Sequence, residues 1–157
     1  MENRDLIQHS LGGSHQVVKL ILSEISEEEA RRMPNTMLSP IIWQVGHLAV
    51  ANSNFVKRVG VTSATTLPER YPVLFKTGTG GAADYPPLTE VVQAFDDTHE
   101  ALMRVVAEAN LDAPNEGPRG FWNNVAGAFA FSNAHRWYHI GKMTSLRALL
   151  GKPRLFG

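Results

Sequence analysis

Six histidines and no cysteine set the range of chemistry open to this chain: disulfides, thiolate metal sites and a cysteine nucleophile are all excluded. His135 and His139 stand four residues apart in a long proline-free stretch. On a helix that spacing puts both rings on one face, with Cβ atoms about 6 Å apart, close enough to ligate one metal ion. Ala128, Phe131, Leu146 and Leu149 share the stripe, which predicts that both rings point inward. Buried imidazoles need partners, and a divalent ion would satisfy one nitrogen of each while backbone or carboxylate groups hold the other. The plainer reading is a pair of hydrogen-bonded core histidines.

A third ligand has to come from another helix, and His47, His15 and His99 are the candidates. A helical wheel places His15 with Leu11, Val18 and Leu22, and His99 with Phe95, Leu102 and Val106, so both face inward. His47 lies roughly 120° from the centre of its helix's main apolar stripe, beside Trp43, Val50, Ala51 and Asn54. Periodicity mildly favours the other two. His9 falls opposite the apolar face of its helix and reads as exposed.

The elements that carry these residues are marked out by proline, which removes a hydrogen bond from a helix interior and clashes with the preceding turn. The nine prolines cluster at 34 and 40, at 68, 72, 86 and 87, at 114 and 118, and at 153, leaving four stretches of helical length. The first carries Leu11, Val18, Leu22 and Ile25 on one side, weakened locally by Gly12 and Gly13. The second opens at Ser39-Pro40 and runs to about Gly60, with Ile41, Val45, Leu48, Phe55 and Val59 as its stripe. The third follows Pro87 with Leu88, Val92, Phe95, Leu102, Val106 and Ala109. The fourth spans about Phe121 to Leu150, closed by Gly151 and Pro153.

This pattern predicts an all-α four-helix bundle in one domain of 157 residues, with the Val61–Pro87 link as a long crossover between helices two and three. Gly78, Gly80 and Gly81 in that link read as flexible connection, since no Gly-Lys-Ser/Thr follows. Glu27, Glu28, Glu29, Arg31 and Arg32 read as a solvated face at the end of helix one. Trp122, Phe129 and Phe131 could line a pocket mouth, although their spacing favours core. Leu155 and Phe156 suggest a tail that docks on the body or on a second copy.

Lys+Arg and Asp+Glu both number 15, so no blanket attraction to nucleic acid or anionic lipid exists. Gln44, Gly46 and His47 interrupt the richest apolar run, which rules against a membrane span. The first ten residues lack the pattern of a secretion signal, and a cytoplasmic location is the expectation.

Three segments together resemble the DinB/YfiT-like superfamily: Trp43-Gln44-Val45-Gly46-His47-Leu48-Ala49, His135-Arg136-Trp137-Tyr138-His139-Ile140-Gly141, and Arg147-Ala148-Leu149-Leu150-Gly151-Lys152-Pro153. The likeness covers nearly the whole chain. It implies a four-helix bundle holding one divalent ion, whether zinc, nickel, iron or manganese, through His47, His135 and His139, and so overrides the wheel. Relatives include low-molecular-weight-thiol S-transferases and a mycothiol-dependent isomerase, and homodimers occur among look-alikes. Relatives commonly carry glutamine three residues after the second histidine of the pair, where this chain has Lys142. Near a metal, Lys142 would serve as a base or as a clamp for a thiolate; otherwise its stem packs and its amine reaches solvent.

Three neutral nitrogens leave a coordination position open. The resulting expectation is a metal-dependent transferase that activates an external low-molecular-weight thiol against an electrophilic small molecule. The runner-up is a hydrolase using a water that the metal activates, for which Asp96, Asp97 and Glu100 are the nearest class of base, although the wheel turns them to solvent. A third reading is a metal-stabilised binding or stress-response protein without catalysis.

Overall fold

The computed structural model describes residues 3–60, 67–81 and 84–156, and over these the chain is all-helical. Its elements are α1 (Asn3–Leu22), α2 (Glu27–Arg31), α3 (Ile41–Arg58), α4 (Tyr71–Leu74), α5 (Leu88–Glu108) and α6 (Val125–Leu149), with a 3-10 turn at Pro118–Gly120. The four long helices are the expected ones, and α1 and α3 each pack against both α5 and α6. Seven of the nine prolines lie outside helices, Pro40 and Pro87 as the N-caps of α3 and α5, whereas Pro72 sits in the first turn of α4 and Pro118 opens the 3-10 turn. No helix among the described residues is long and apolar enough to cross a membrane.

Local chemistry moves several boundaries from their expected places. The first helix stops at Leu22, and Ile25 is buried in the turn that follows. Ser26 and Glu29 then form a reciprocal capping box that starts α2, so the charged run belongs to a separate helix rather than to the end of α1, with Glu27, Glu28 and Arg32 exposed. Arg31 donates to the Tyr85 and Pro86 carbonyls, and Glu27 accepts from the Leu88 N–H, which pins α2 to the start of α5. At α3 the Ser39 side chain makes no cap. The fourth helix begins at Val125, not Phe121, because Asn124 caps it by accepting the Gly127 N–H, and the backbone before it turns through the 3-10 segment.

The described part of the long link, 67–81 and 84–87, is docked rather than loose. Phe75 and Tyr71 of the α4 region are fully buried. Trp43 Nε1 donates to Thr79 Oγ1 at 3.2 Å, and Tyr85 Oη donates to the Gly80 carbonyl at 3.1 Å. Gly80 lies so close to Ser39 that a Cβ there would fall 1.8 Å from its Oγ. Residues 61–66 and 82–83 of the expected crossover fall outside the description.

Apolar burial forms two clusters. One gathers Val18, Val45, Leu48, Phe75, Phe95 and Ile140; the other gathers Leu11, Val56, Leu102, Val106 and Phe129. Between them runs a buried polar layer drawn from all four long helices, with Arg136 at its centre and only 1% exposed. Its guanidinium donates to the Leu11 carbonyl at 2.7 Å, to Ser14 Oγ at 3.1 Å and to Asn52 Oδ1 at 3.2 Å. One side chain thereby ties α6 to α1 and α3.

The end of α6 explains the Arg147-to-Pro153 motif. Buried Arg147 donates to the Ile21 carbonyl, to Glu24 and to the Pro153 carbonyl, fastening the tail to the end of α1. Gly151 takes φ +77°, its N–H reaching the Ala148 carbonyl while the Lys152 N–H reaches that of Arg147. This paired closure favours glycine, since a Cβ crowds the carbonyl in the left-handed region. Leu155 packs on the first apolar cluster, whereas Phe156 remains exposed. Gly151→Ala is expected to lower stability by about 1 kcal/mol in urea titration, and an unchanged midpoint would refute the closure.

Candidate metal centre

The structure brings His47, His135 and His139 together, with one ligand atom from each within 4.8 Å of the others. One turn of α6 supplies the last two, whose Nε2 atoms stand 3.2 Å apart. His47 comes from α3, its ring stacked on Trp43 at 4.7 Å between centroids and lying 4.8 Å from the His139 ring. The wheel's preference against His47 fails because α3 is buried nearly all round from Ile41 to Val50. On such a helix no single stripe defines inside.

Two of the three rings are oriented from behind. His139 Nδ1 donates to Gln44 Oε1 at 2.5 Å, and the other end of that amide donates from Nε2 to the Ser39 carbonyl at 2.9 Å, which fixes which way it faces. His47 Nδ1 donates to the Phe75 carbonyl at 2.8 Å. With their protons committed at Nδ1, both rings carry a lone pair at Nε2. The His139 lone pair thus faces His135 Nε2, an arrangement that a shared cation satisfies. The donor set suits a divalent transition metal, and nitrogen ligands held by outer hydrogen bonds are the usual construction of such sites.

Gln44 and Phe75 are the functional residues that sequence reasoning missed. Gln44 figured there as a break in an apolar run and within the resembling segment, without a role of its own, yet a fully buried glutamine one turn before a histidine must spend its amide on something. Phe75 contributes through its backbone, which no residue type announces. Its ring also explains Gly46, where a Cβ would lie 2.3 Å from the Phe75 ring.

Burial keeps these imidazoles neutral, the form that ligates metal. His139 is pushed down to about 2 and His135 to about 4, chiefly by loss of water and then by the neighbouring histidines and Lys142. His47 is lowered for the same first reason, although its Phe75 bond opposes the shift.

The other histidines are placed elsewhere. His15 and His99 stack on each other at 4.0 Å, and His15 Nε2 meets Asp96 Oδ1 at 2.8 Å. His99 Nδ1 accepts from Arg136 at 3.4 Å. Both point inward as the wheel predicts, but they serve the polar layer, with Asp96 held between His15 and Lys19. His9 is exposed. Leu149, assigned to the histidine stripe, is 52% exposed because the stripe drifts to solvent at the end of α6. Lys142 is half-buried, with its ammonium 4.2 Å from the centre of the Tyr138 ring.

A cavity of about 410 Å³ adjoins the triad, with His47 and His135 in its wall. Trp122 and Phe131 line it, whereas Phe129 is core. Among the described residues none that lines it is acidic.

The DinB superfamily profile matches residues 13–143. The chain belongs to the DinB superfamily. A search of curated proteins finds no match. Membership and the converging triad agree on a DinB-like protein equipped to bind a metal ion, and the bundle supplies the positions that this requires.

Gln44→Leu frees the His139 tautomer and is expected to weaken Zn²⁺ binding by about 10- to 100-fold in competition with a chromophoric chelator. Unchanged affinity would dismiss the outer bond. In metal-free protein, histidines held neutral destabilise the fold in acid, because below about pH 6.5 the unfolded chain binds protons that the folded chain refuses. Stability is therefore expected to fall as pH drops from about 6.5 towards 4. A flat profile in urea titrations across that window would contradict neutral burial.

Proposed function

We propose that this DinB-like protein is a metal-dependent thiol S-transferase acting on electrophilic small molecules, with His47, His135 and His139 as the metal ligands. The observation that carries the reading is an all-nitrogen triad opening on a cavity without a carboxylate. A divalent ion there would lower the pKa of a thiol that it binds, so that the sulfur attacks as thiolate near neutral pH. The chain's own residues supply the rest. His47 and His135 face the cavity, His139 lies buried behind with Gln44 setting its orientation, and Phe55, Trp122 and Phe131 give the cavity an apolar wall for the substrate.

In the reaction the thiol gives its proton to solvent, its sulfur forms a C–S bond to the electrophilic carbon, and the leaving group departs with the electron pair of the bond it breaks. Lys142 is assigned as an electrostatic clamp. Its charge acts on all three histidines, and it would likewise favour a thiolate over a thiol beside them. Hydrolysis ranks second because it calls for a general base near the triad, and the acidic candidates are engaged or exposed elsewhere: Asp96 pairs with His15 and Lys19, while Asp97 and Glu100 face solvent.

The test incubates Zn²⁺-, Ni²⁺-, Mn²⁺- or Fe²⁺-loaded protein with bacterial low-molecular-weight thiols and 1-chloro-2,4-dinitrobenzene. A thiol-dependent rate lost in His135→Ala, and reduced about tenfold or more in Lys142→Met at unchanged metal content, is expected. Equal rates in the wild type and His135→Ala with every thiol and metal would overturn the reading.

A further inference from the structure

The cavity beside the triad carries a chemical signature of its own. Along α3 its wall repeats His47, Ala51, Asn54 and Arg58, one helix face that rises about 16 Å along the axis from His47 to Arg58. Lys76 adds a second cation at the histidine end, since it follows Phe75, whose carbonyl accepts from His47. Neither cation is in an ion pair with a carboxylate among the described residues. Arg58 instead donates to the Glu116 carbonyl at 3.3 Å and lies 5.6 Å from the Trp122 ring centre.

The aromatic wall is built in advance. Trp122 Nε1 donates to Asn115 Oδ1 at 3.0 Å, and Asn115 Nδ2 donates to the Arg58 carbonyl at 3.1 Å, closing a loop of contacts between α3 and the segment before α6. Phe131 rests 4.9 Å from Trp122, and Phe55 rests 5.8 Å from it. Gly117 lets the indole lie flat, since a Cβ there would come within 2.3 Å of the ring. A preformed apolar trough with unpaired cations at its edge is fitted to a molecule having both features.

We infer that the cavity selects an elongated organic anion, its apolar body laid along Trp122, Phe55 and Phe131 and its carboxylate or comparable anionic group taken by Arg58 at the end away from the histidines. The reacting end is then directed back towards the histidines. This rests on the transferase reading only in making this molecule the electrophilic substrate; binding itself requires neither thiol nor metal. Arg58 is the specificity-determining residue, remote from the reacting atoms.

Calorimetry on metal-stripped protein, with 6-phenylhexanoate and its neutral counterpart 6-phenylhexan-1-ol as probes, separates this inference from catalysis. The acid is expected to bind about fivefold or more tightly than the alcohol at low ionic strength, with the margin shrinking as salt is added. Arg58→Gln should bring the two probes to parity with an unchanged melting temperature, while Lys57→Gln on the exposed side of α3 should leave the margin intact. Equal binding of acid and alcohol by the wild type, no binding of either, or a preference that survives in Arg58→Gln would overturn the inference. So would an acid preference present only in metal-loaded protein, which would assign the carboxylate to the ion. Failure of the thiol assay alone leaves these outcomes readable, since no turnover is measured.

Discussion

A buried imidazole has two nitrogens to satisfy, and the architecture around the triad follows from how that demand is met. For His139 and His47 the answer is a carbonyl oxygen behind each ring, one from a side-chain amide and one from the backbone. Each bond fixes a tautomer and thereby aims a lone pair. The requirement then spreads outward. Gln44 can present its oxygen only because Ser39 takes its N–H, and Phe75 can present its carbonyl only because Gly46 leaves space for its ring against α3. The Trp43-to-His47 motif is thus a set of mutually dependent positions, and the α4 segment is joined to it through the Phe75 carbonyl.

Arg136 shows the same principle in the opposite sense. It has no carboxylate partner, and burial pulls its guanidinium down to about 10. Dividing the apolar core with a cation is costly unless hydrogen bonds compensate, and here they come from α1, α3 and α5. Because Arg136 is the residue next to His135, the rotation of α6 that satisfies it also turns His135 and His139 towards α3. His15 and His99 are drawn into this layer, which explains why two inward histidines on the right helices are nonetheless not part of the triad.

Much of this was legible in the chain and some was not, for reasons that differ by residue. Proline spacing gave the four long helices because its effect on a helix is local and severe. The His135–His139 pair was legible because helical periodicity is a property of one segment. His47 was not, since a helix covered on several sides has no unique apolar direction; family resemblance supplied it instead. Gln44 and Phe75 escaped because their contributions depend on tertiary contacts, from α3 to α6 and from α4 to α3. The start of α6 moved from Phe121 to Val125 because Asn124 caps it, a choice made by one side chain that an apolar stripe does not register.

Charge is the last step that connects the site to its chemistry. Three imidazoles contribute no formal charge to a bound ion, so a divalent ion would keep its full +2 in the first layer of protein ligands, unlike one held by carboxylates. The surroundings do nothing to cancel it: Lys142 acts on all three histidines, and Arg58 and Lys76 stand along the adjoining cavity, whose wall has no acid. Such a field penalises a proton on a bound thiol and favours whatever arrives with negative charge. A reaction in which an anionic nucleophile meets an anionic substrate would ordinarily suffer from their repulsion; Arg58 at one end of the α3 face, with Lys76 and Lys142 near His47 at the other, would lessen it.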